Sequence, residues 1–297
     1  MEMISGVAET LEPGLRRILA PNPSPLTGPG TNTYLLGTGQ IAVIDPGPDD
    51  PAHLSAILAA LGPDQSVSHI FVTHSHLDHS PLARALSAAT GAPILAFGDS
   101  ASGRSAVMRY LAEGGTLGGG EGVDADFAPT RLLKDGETVA GDGWQLTALY
   151  TPGHFGNHMA FLWGDALFSG DLVMGWATSL VSPPDGDLTA FMASCRRLSQ
   201  RNDRIYYPGH GHPVTAPKER VDWLIAHRLE REAQILTALQ DGPSQIPELT
   251  RKIYTEIQPH LFPAAERNVL AHLIDLTTSN RCIADGPLGP SARYSLP

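Results

Sequence analysis

Residues 74–79 read His74-Ser75-His76-Leu77-Asp78-His79, and the fold turns on how that stretch is understood. Three imidazoles and a carboxylate within six residues are costly to bury without partners. They are also the nitrogen and oxygen donors that one or two zinc ions require. Just upstream, His69-Ile70-Phe71-Val72-Thr73 has the character of a short buried strand ending at the motif. Just downstream, Ser80-Pro81 opens a helical run, Leu82-Ala83-Arg84-Ala85-Leu86. The motif is therefore expected on a strand-to-helix turn. Side chains two apart at a strand end point the same way, so His74 and His76 can share one metal. Asp78 and His79, around the turn, can face a second.

Further donors follow along the chain. Thr151-Pro152-Gly153 leads to His154. Phe168-Ser169-Gly170 leads to Asp171 after a short apolar strand, and Tyr207-Pro208-Gly209 leads to His210. Ahead of the motif, Ile41-Ala42-Val43-Ile44 followed by Asp45-Pro46-Gly47 is a strand and a turn. The His-x-His-x-Asp-His spacing, with these segments in this order, resembles the signature of the metallo-beta-lactamase superfamily. The resemblance implies an α/β fold, a four-layer αββα sandwich, with two metal sites. His74, His76 and His154 would hold the first metal, Asp78, His79 and His210 the second, and Asp171 would bridge both. No Cys falls at a ligand position. An all-nitrogen-and-oxygen set suits two divalent ions, zinc first, with manganese and iron as open alternatives.

The chemistry implied by the resemblance is hydrolysis. Paired metals lower the pKa of a bridging water from about 16 to about 7, giving a hydroxide that attacks a carbonyl or a phosphorus. Asp78 is the expected catalytic residue, orienting the nucleophile or passing a proton to the leaving group. Asp45 stands where a carboxylate can fix the tautomer of a ligand imidazole, and it also suits a turn before Pro46-Gly47. His158, Tyr206, Tyr207 and His212 are further candidates for orienting the site or touching substrate. His53, His69, His227, His260 and His272 have no ligand spacing and are expected at the surface or as caps. Trp163 and Trp176 are expected in the core or in a pocket wall. Ser80-Pro81 departs from the small residues that many family members carry there; Pro is well accommodated in a first helical turn.

The chain has 297 residues, 42% of them hydrophobic, enough for one large domain and a small one. Cys195 and Cys282 match no metal or redox spacing, which fits a reducing cytoplasm. Residues 1–19 lack a basic start followed by an apolar core, so no signal peptide is expected. No apolar run reaches membrane-spanning length. The formal net charge is −11, and −10 of it falls in residues 1–217, where 21 acidic residues face 11 basic ones. A basic nucleic-acid footprint is not visible.

Residues 20–31 are too rich in Pro and Gly for a helix or a central strand. Strands are expected at residues 32–36, 41–44 and 93–97, and a helix at 51–61. Residues from Gly114 to Gly122 include six glycines and form either a tolerated surface insertion or a lid. After Pro217 the character changes. Residues 218–240 form a long helix with Val221, Leu224, Ile225, Leu229, Ile235, Leu236 and Leu239 along one face. Residues 246–257 and 264–278 give two more helices, and residues 281–287 a strand and turn. Residues 1–217 are thus expected as the catalytic domain and 218–297 as a small winged-helix-like domain. That pairing resembles the subgroup of the superfamily whose animal members are endoribonucleases.

The leading expectation is a hydrolase of a small ester, thioester or lactone. A single-strand endoribonuclease acting on RNA and a mononuclear iron oxygenase of a thiol or persulfide are the alternatives. The near-neutral tail is expected to form a homodimer contact or a wall of the substrate cleft.

Overall fold

The computed structural model describes residues 3–115, 117 and 122–297. Alternation along the strands sorts the apolar side chains into separate layers. The first sheet is built from Ala8–Glu12 (β1), Leu15–Leu19 (β2), Asn32–Leu36 (β3), Gln40–Ile44 (β4), Ser66–Phe71 (β5), Ile94–Ala96 (β6) and Arg131–Leu132 (β7), paired in that order. The second contains Thr138–Gly141 (β8), Trp144–Tyr150 (β9), Met159–Trp163 (β10), Ala166–Gly170 (β11) and Ile205–Pro208 (β12), again in chain order.

Successive strand residues point to opposite faces. Tyr34, Leu36, Ala42 and Ile44 therefore meet Phe161, Phe168 and Tyr207 in a core between the sheets. The intervening Leu35, Ile41 and Val43 pack outward, against Ile57 of helix α1 (Pro51–Ala59) and Leu82 and Leu86 of helix α2 (Leu82–Thr90). On the far side, Ala160, Leu167 and Tyr206 pack against Leu188, Phe191 and Leu198 of a helix at Leu188–Ser199. Helix, sheet, sheet and helix make the four layers of an αββα sandwich.

Helix α3 (Ala106–Glu113) lies between β6 and β7 in sequence, and the Leu188–Ser199 helix is α4. The tail contributes α5 (Pro217–Leu239), α6 (Ile246–Ile253), α7 (Phe262–Thr278) and a hairpin of β13 (Ile283–Asp285) and β14 (Arg293–Ser295). The first half of α5 joins the sandwich, with Val221 and Leu224 packed beside Phe191. Its second half presents Ile235 and Leu239 to Leu273 of α7, Tyr294 of β14 and Met108 of α3. The tail is thus seated on the sandwich at two places.

Helix α6 stops at Ile253, short of the expected residue 257, because Tyr254 leaves the helical region (φ −106°, ψ 65°). Helix α7 begins two residues earlier than expected, with Pro263 in its first turn. Leu229, expected on the apolar face of α5, is 45% exposed; Arg228 is buried in its place. His53 and His272, expected at the surface or as caps, are buried instead. His53 is held by Thr33 Oγ1 at 2.8 Å. Most of the Gly114-to-Gly122 segment, expected as a surface insertion or a lid, lies outside the described residues. No described helix is long and apolar enough to cross a membrane.

β9, β11 and β12 run in one direction, so their C-terminal ends share an edge of the sandwich. The turn after β5 reaches the same edge, where the Met159 amide donates to Thr73 O at 2.8 Å and the Asn32 amide to Gly209 O at 2.7 Å. The sheets are stitched together at that point.

Candidate metal centre

That edge gathers seven side chains from four turns. His74, His76, Asp78 and His79 come from the turn after β5, His154 from the turn after β9, Asp171 from the end of β11 and His210 from the turn after β12. Three groups of donor atoms each lie within 4.8 Å: His74, His76 and His154; His74, His79 and Asp171; Asp78, His79 and His210. The seven residues read from the sequence are thus brought together.

The outward nitrogens of the rings are pinned. His79 Nδ1 lies 3.0 Å from Asp45 Oδ2, and His154 Nδ1 lies 2.7 Å from Leu180 O. His210 Nδ1 lies 3.1 Å from Gly30 O. The Thr73 hydroxyl donates to Asp45 at 2.7 Å, so its oxygen accepts from His74 Nδ1 at 3.0 Å. Four rings therefore carry their proton on Nδ1 when neutral and present Nε2 inward. His76 presents Nδ1 instead, 2.8 Å from His74 Nε2 and 3.0 Å from His154 Nε2. His79 Nε2 and His210 Nε2 are 3.3 Å apart. Acceptor lone pairs facing one another at these distances repel unless a proton or a cation stands between them. The donor set therefore fits divalent metal ions of the kind that take imidazole and carboxylate.

Asp45 reaches both halves of the cluster, His79 directly and His74 through Thr73. Its backbone is in the left-handed region (φ +50°), a conformation that costs energy outside glycine. Three hydrogen bonds at its carboxylate, including the Thr73 amide at 2.7 Å, hold it there.

Electrostatics divide the cluster. Burial, then neighbouring imidazoles, drives the pKa of His74 well below its ordinary value and that of His76 to about 3. Burial lowers His154 as well, against the pull of Asp171. On the other side burial also opposes charge, but carboxylates outweigh it. Asp78, Asp171 and Asp45 hold His79 well above its ordinary value, and Asp171 and Asp78 lift His210 to about 9. Asp78 and Asp171 are correspondingly held low by these imidazoles, despite burial. The side chain of Asp78 is 26% exposed, against 9% for Asp171, so Asp78 is the carboxylate an incoming molecule meets first.

Of the other candidates, His158 lies beneath the cluster, its Nδ1 2.9 Å from Thr151 Oγ1 and its ring 5.3 Å from that of His74. Tyr206 and Tyr207 do not reach the cluster. Their rings are buried on opposite faces of the second sheet and their hydroxyls meet Asp203 and Glu12. His212 is exposed and lines a cavity of about 730 Å³ beyond Trp176, shared with Met3 and Pro29. Sequence reasoning missed Thr73, Thr31, whose hydroxyl lies 3.4 Å from Asp78 Oδ2, and the carbonyls of Gly30 and Leu180. A Thr directly before the motif was a readable signal; a backbone carbonyl has none.

Two cleft limbs open over the cluster. The broader, about 700 Å³, has His76 and His154 at its floor, Leu26 and Leu180 on one side, and Leu261 and Ala264 from the tail on the other. The narrower, about 270 Å³, reaches Asp78, Asp171 and His210 and is walled by Met174 and Trp176. Trp176 is 46% exposed.

Comparison with known proteins agrees with this geometry. Residues 26–210 match the model of the metallo-beta-lactamase superfamily, and residues 246–286 match a beta-lactamase associated winged helix domain. A beta-lactamase-like protein 2 homolog of Caenorhabditis elegans is 32% identical over 268 residues, covering 88% of this chain and 83% of that one. An atrochrysone carboxyl ACP thioesterase of Aspergillus fumigatus is 30% identical over 238 residues, covering 78% of this chain and 67% of its own length. The crystal structure of a metallo-beta-lactamase family protein from Thermus thermophilus superimposes with a TM-score of 0.76 at 29% identity, covering 97% of this chain and all of that one. The chain belongs to the metallo-beta-lactamase superfamily and carries the winged-helix domain associated with it.

Proposed function

We propose that this protein is a hydrolase of small acyl esters, thioesters foremost, that works with two divalent metal ions. Residues 1–217 form its catalytic domain and residues 218–297 its winged-helix-like tail. The observation that carries the reading is the pinned cluster at the floor of a cleft. Five imidazoles and two carboxylates face one another there, five of the seven buried and His76 and Asp78 partly open to the cleft. Relatives named as thioesterases, such as the Aspergillus fumigatus protein, support the substrate class. Lactones and simple esters share the electrophilic carbonyl and belong to the same reading. Two free, buried cysteines are in keeping with a reducing cytoplasm.

His74, His76 and His154 would hold one ion, Asp78, His79 and His210 the other, and Asp171 would serve both; zinc is the ion this donor set favours. Bound there, the ions would supply an activated water and Lewis-acid stabilisation of the acyl oxygen. The chain's own groups do the rest. Asp45, the Thr73 hydroxyl and the carbonyls of Gly30 and Leu180 keep four Nδ1 protons turned outward. Asp78, whose Oδ2 accepts from the Thr31 hydroxyl at 3.4 Å, would take a proton from the attacking water and return one to the departing sulfur. Water adds to the carbonyl carbon and the C–S bond breaks, leaving a carboxylic acid and a thiol. Trp176 and Met174 shield the reacting carbonyl from bulk water.

The test is a panel of thioesters, lactones, a beta-lactam and a short single-stranded RNA, with zinc-loaded protein beside its Asp78→Ala variant. Thioester hydrolysis is expected, with kcat falling about 10³-fold in the variant. Cleavage of RNA alone would assign the protein to the ribonucleases. A single bound iron with thiol oxidation and no hydrolysis would overturn both.

A further inference from the structure

The broader cleft limb is built by two parts of the chain. On one side Leu26 stands 58% exposed at the tip of a tight turn, where Ser24 Oγ accepts the amides of Leu26 at 3.1 Å and Thr27 at 3.0 Å. The same limb is lined by Leu261, Pro263 and Ala264, at the start of α7, with His260, Asp185 and Arg267 among its charged or polar members. That wall is fixed to the sandwich, because Arg267 donates to Leu117 O at 3.0 Å and to Pro183 O at 3.3 Å. The limb's volume of about 700 Å³ lies well inside the range of roughly 300–1,000 Å³ that drug-sized ligands occupy. An acetyl group would leave most of it empty. A slender thiol arm suits the narrower limb beside Trp176, of about 270 Å³.

We infer that the start of α7 gauges the acyl group: the broad limb takes a bulky, largely apolar acyl chain whose far end rests on Leu261, Pro263 and Ala264. This rests on the thioester reading, and the test separates the two. S-decyl and S-methyl pantetheine are thioethers that cannot be hydrolysed, and their binding to zinc-loaded protein is measured by calorimetry. Decyl is expected to bind at least about tenfold tighter than methyl, and Ala264→Trp to remove that preference. Leu261→Trp, outside the helix, is a second route to the same block, and circular dichroism checks that each variant folds. Decanoyl and acetyl thioesters are then assayed for hydrolysis. Decyl preference without hydrolysis of either would keep the gauge and discard the thioester reading. Equal binding of the two thioethers, or a preference unchanged in both folded variants, would overturn the gauge.

A separate observation concerns His154. Arg228 of α5 is 2% exposed, and no carboxylate lies within ion-pair distance of it among the described residues. Its guanidinium donates to Ser179 O and, at 3.0 Å, to Asn268 Oδ1, and lies 5.2 Å above the Phe191 ring. Asn268 Oδ1 also accepts the Val181 amide at 3.3 Å. Residues 179 and 181 are therefore both held by the tail, and between them Leu180 O accepts from His154 Nδ1. A buried guanidinium with neutral acceptors only is costly, and here it fixes the carbonyl that sets a ligand's tautomer.

We propose that Arg228 and Asn268 are positioning residues for His154, so that the tail tunes one of the two metal sites. Zinc affinity is read by competition with a chelating dye. Asn268→Leu is expected to weaken one zinc about tenfold and leave the other unchanged, while Asn268→Asp, which keeps the acceptor, stays within about twofold of wild type. In a His154→Ala background, Asn268→Leu should add nothing. Thermal unfolding of the metal-free variants supplies the contrast. Lowered stability with both zinc affinities intact would overturn the proposal, as would an additive effect in the double variant.

Discussion

His154 and His272 are both buried and both disfavour a charge, yet their surroundings are opposite. His154 donates outward to Leu180 O at 2.7 Å and turns Nε2 to His76 at 3.0 Å. His272, in the middle of α7, finds no partner for either ring nitrogen among the described residues. Burial first, then Arg228, His227 and Arg231, pull its pKa to about 3. The first environment spends one nitrogen to aim the other. The second spends neither, and the ring is a buried cost. What separates His154 from His272 is the pinned outer nitrogen, not the burial.

The comparison breaks most sharply at Asp45, which pins rings in both halves of the cluster. Asp45→Ala should lower zinc affinity about 10- to 100-fold, against a small change in overall fold by circular dichroism. Unchanged affinity would mean that pinning is not what prepares the donors. A smaller effect is expected at Gly209. A Cβ there would collide with Asp171 Oδ1 and lie 2.6 Å from His79 Cε1. Gly209→Ala should therefore weaken zinc by about tenfold, since metal ligands tolerate displacements of only about 0.5 Å. Retained affinity in a folded Gly209→Ala protein would show that the two side chains can move apart freely.

The smallest effect has the opposite sign. His272→Leu should stabilise the protein by about 1–3 kcal/mol, because no hydrogen bond is lost with the ring. It should also flatten the acid side of the stability profile. The folded-state pKa of His272 is about 3 against an ordinary 6.5. Between those values the unfolded chain binds more protons, so wild-type stability falls as pH drops through that window, by up to about 1.4 kcal/mol per pH unit from this group. Urea unfolding at pH 7, 6 and 5 measures both. A destabilised variant with an undiminished slope would show that His272 has a partner and would erase the contrast with His154.

The sandwich and the clustering of its seven candidate donors were legible because each donor sits in a short turn directly after an apolar strand, and that juxtaposition survives in one dimension. Asp45 was legible as an alternative between a turn residue and a ring partner; the bonds to Thr73 and His79 make it a ring partner. The carbonyls of Gly30 and Leu180 were not legible, since any residue supplies a carbonyl and only the fold aims it. Tyr206 and Tyr207 misled because adjacency to His210 says nothing of direction: alternation turns them to opposite faces of the sheet. In α5, apolar spacing marked Leu229 as buried, but the neighbouring face carries Arg228 into the interface by its bonds to Ser179 and Asn268. The cleft wall at Leu261 and Ala264 required knowing where the tail docks, which no local pattern contains.

Metal content measured against activity is the sharpest test of a two-metal hydrolase. Zinc-loaded wild type and Asp78→Ala would be freed of excess metal and their zinc measured by elemental analysis, alongside thioester hydrolysis. Two zinc ions per wild-type chain are expected, fewer than two in the variant, with activity that falls with the lost ion. One zinc in a fully active wild type, or undiminished hydrolysis by Asp78→Ala, would contradict it.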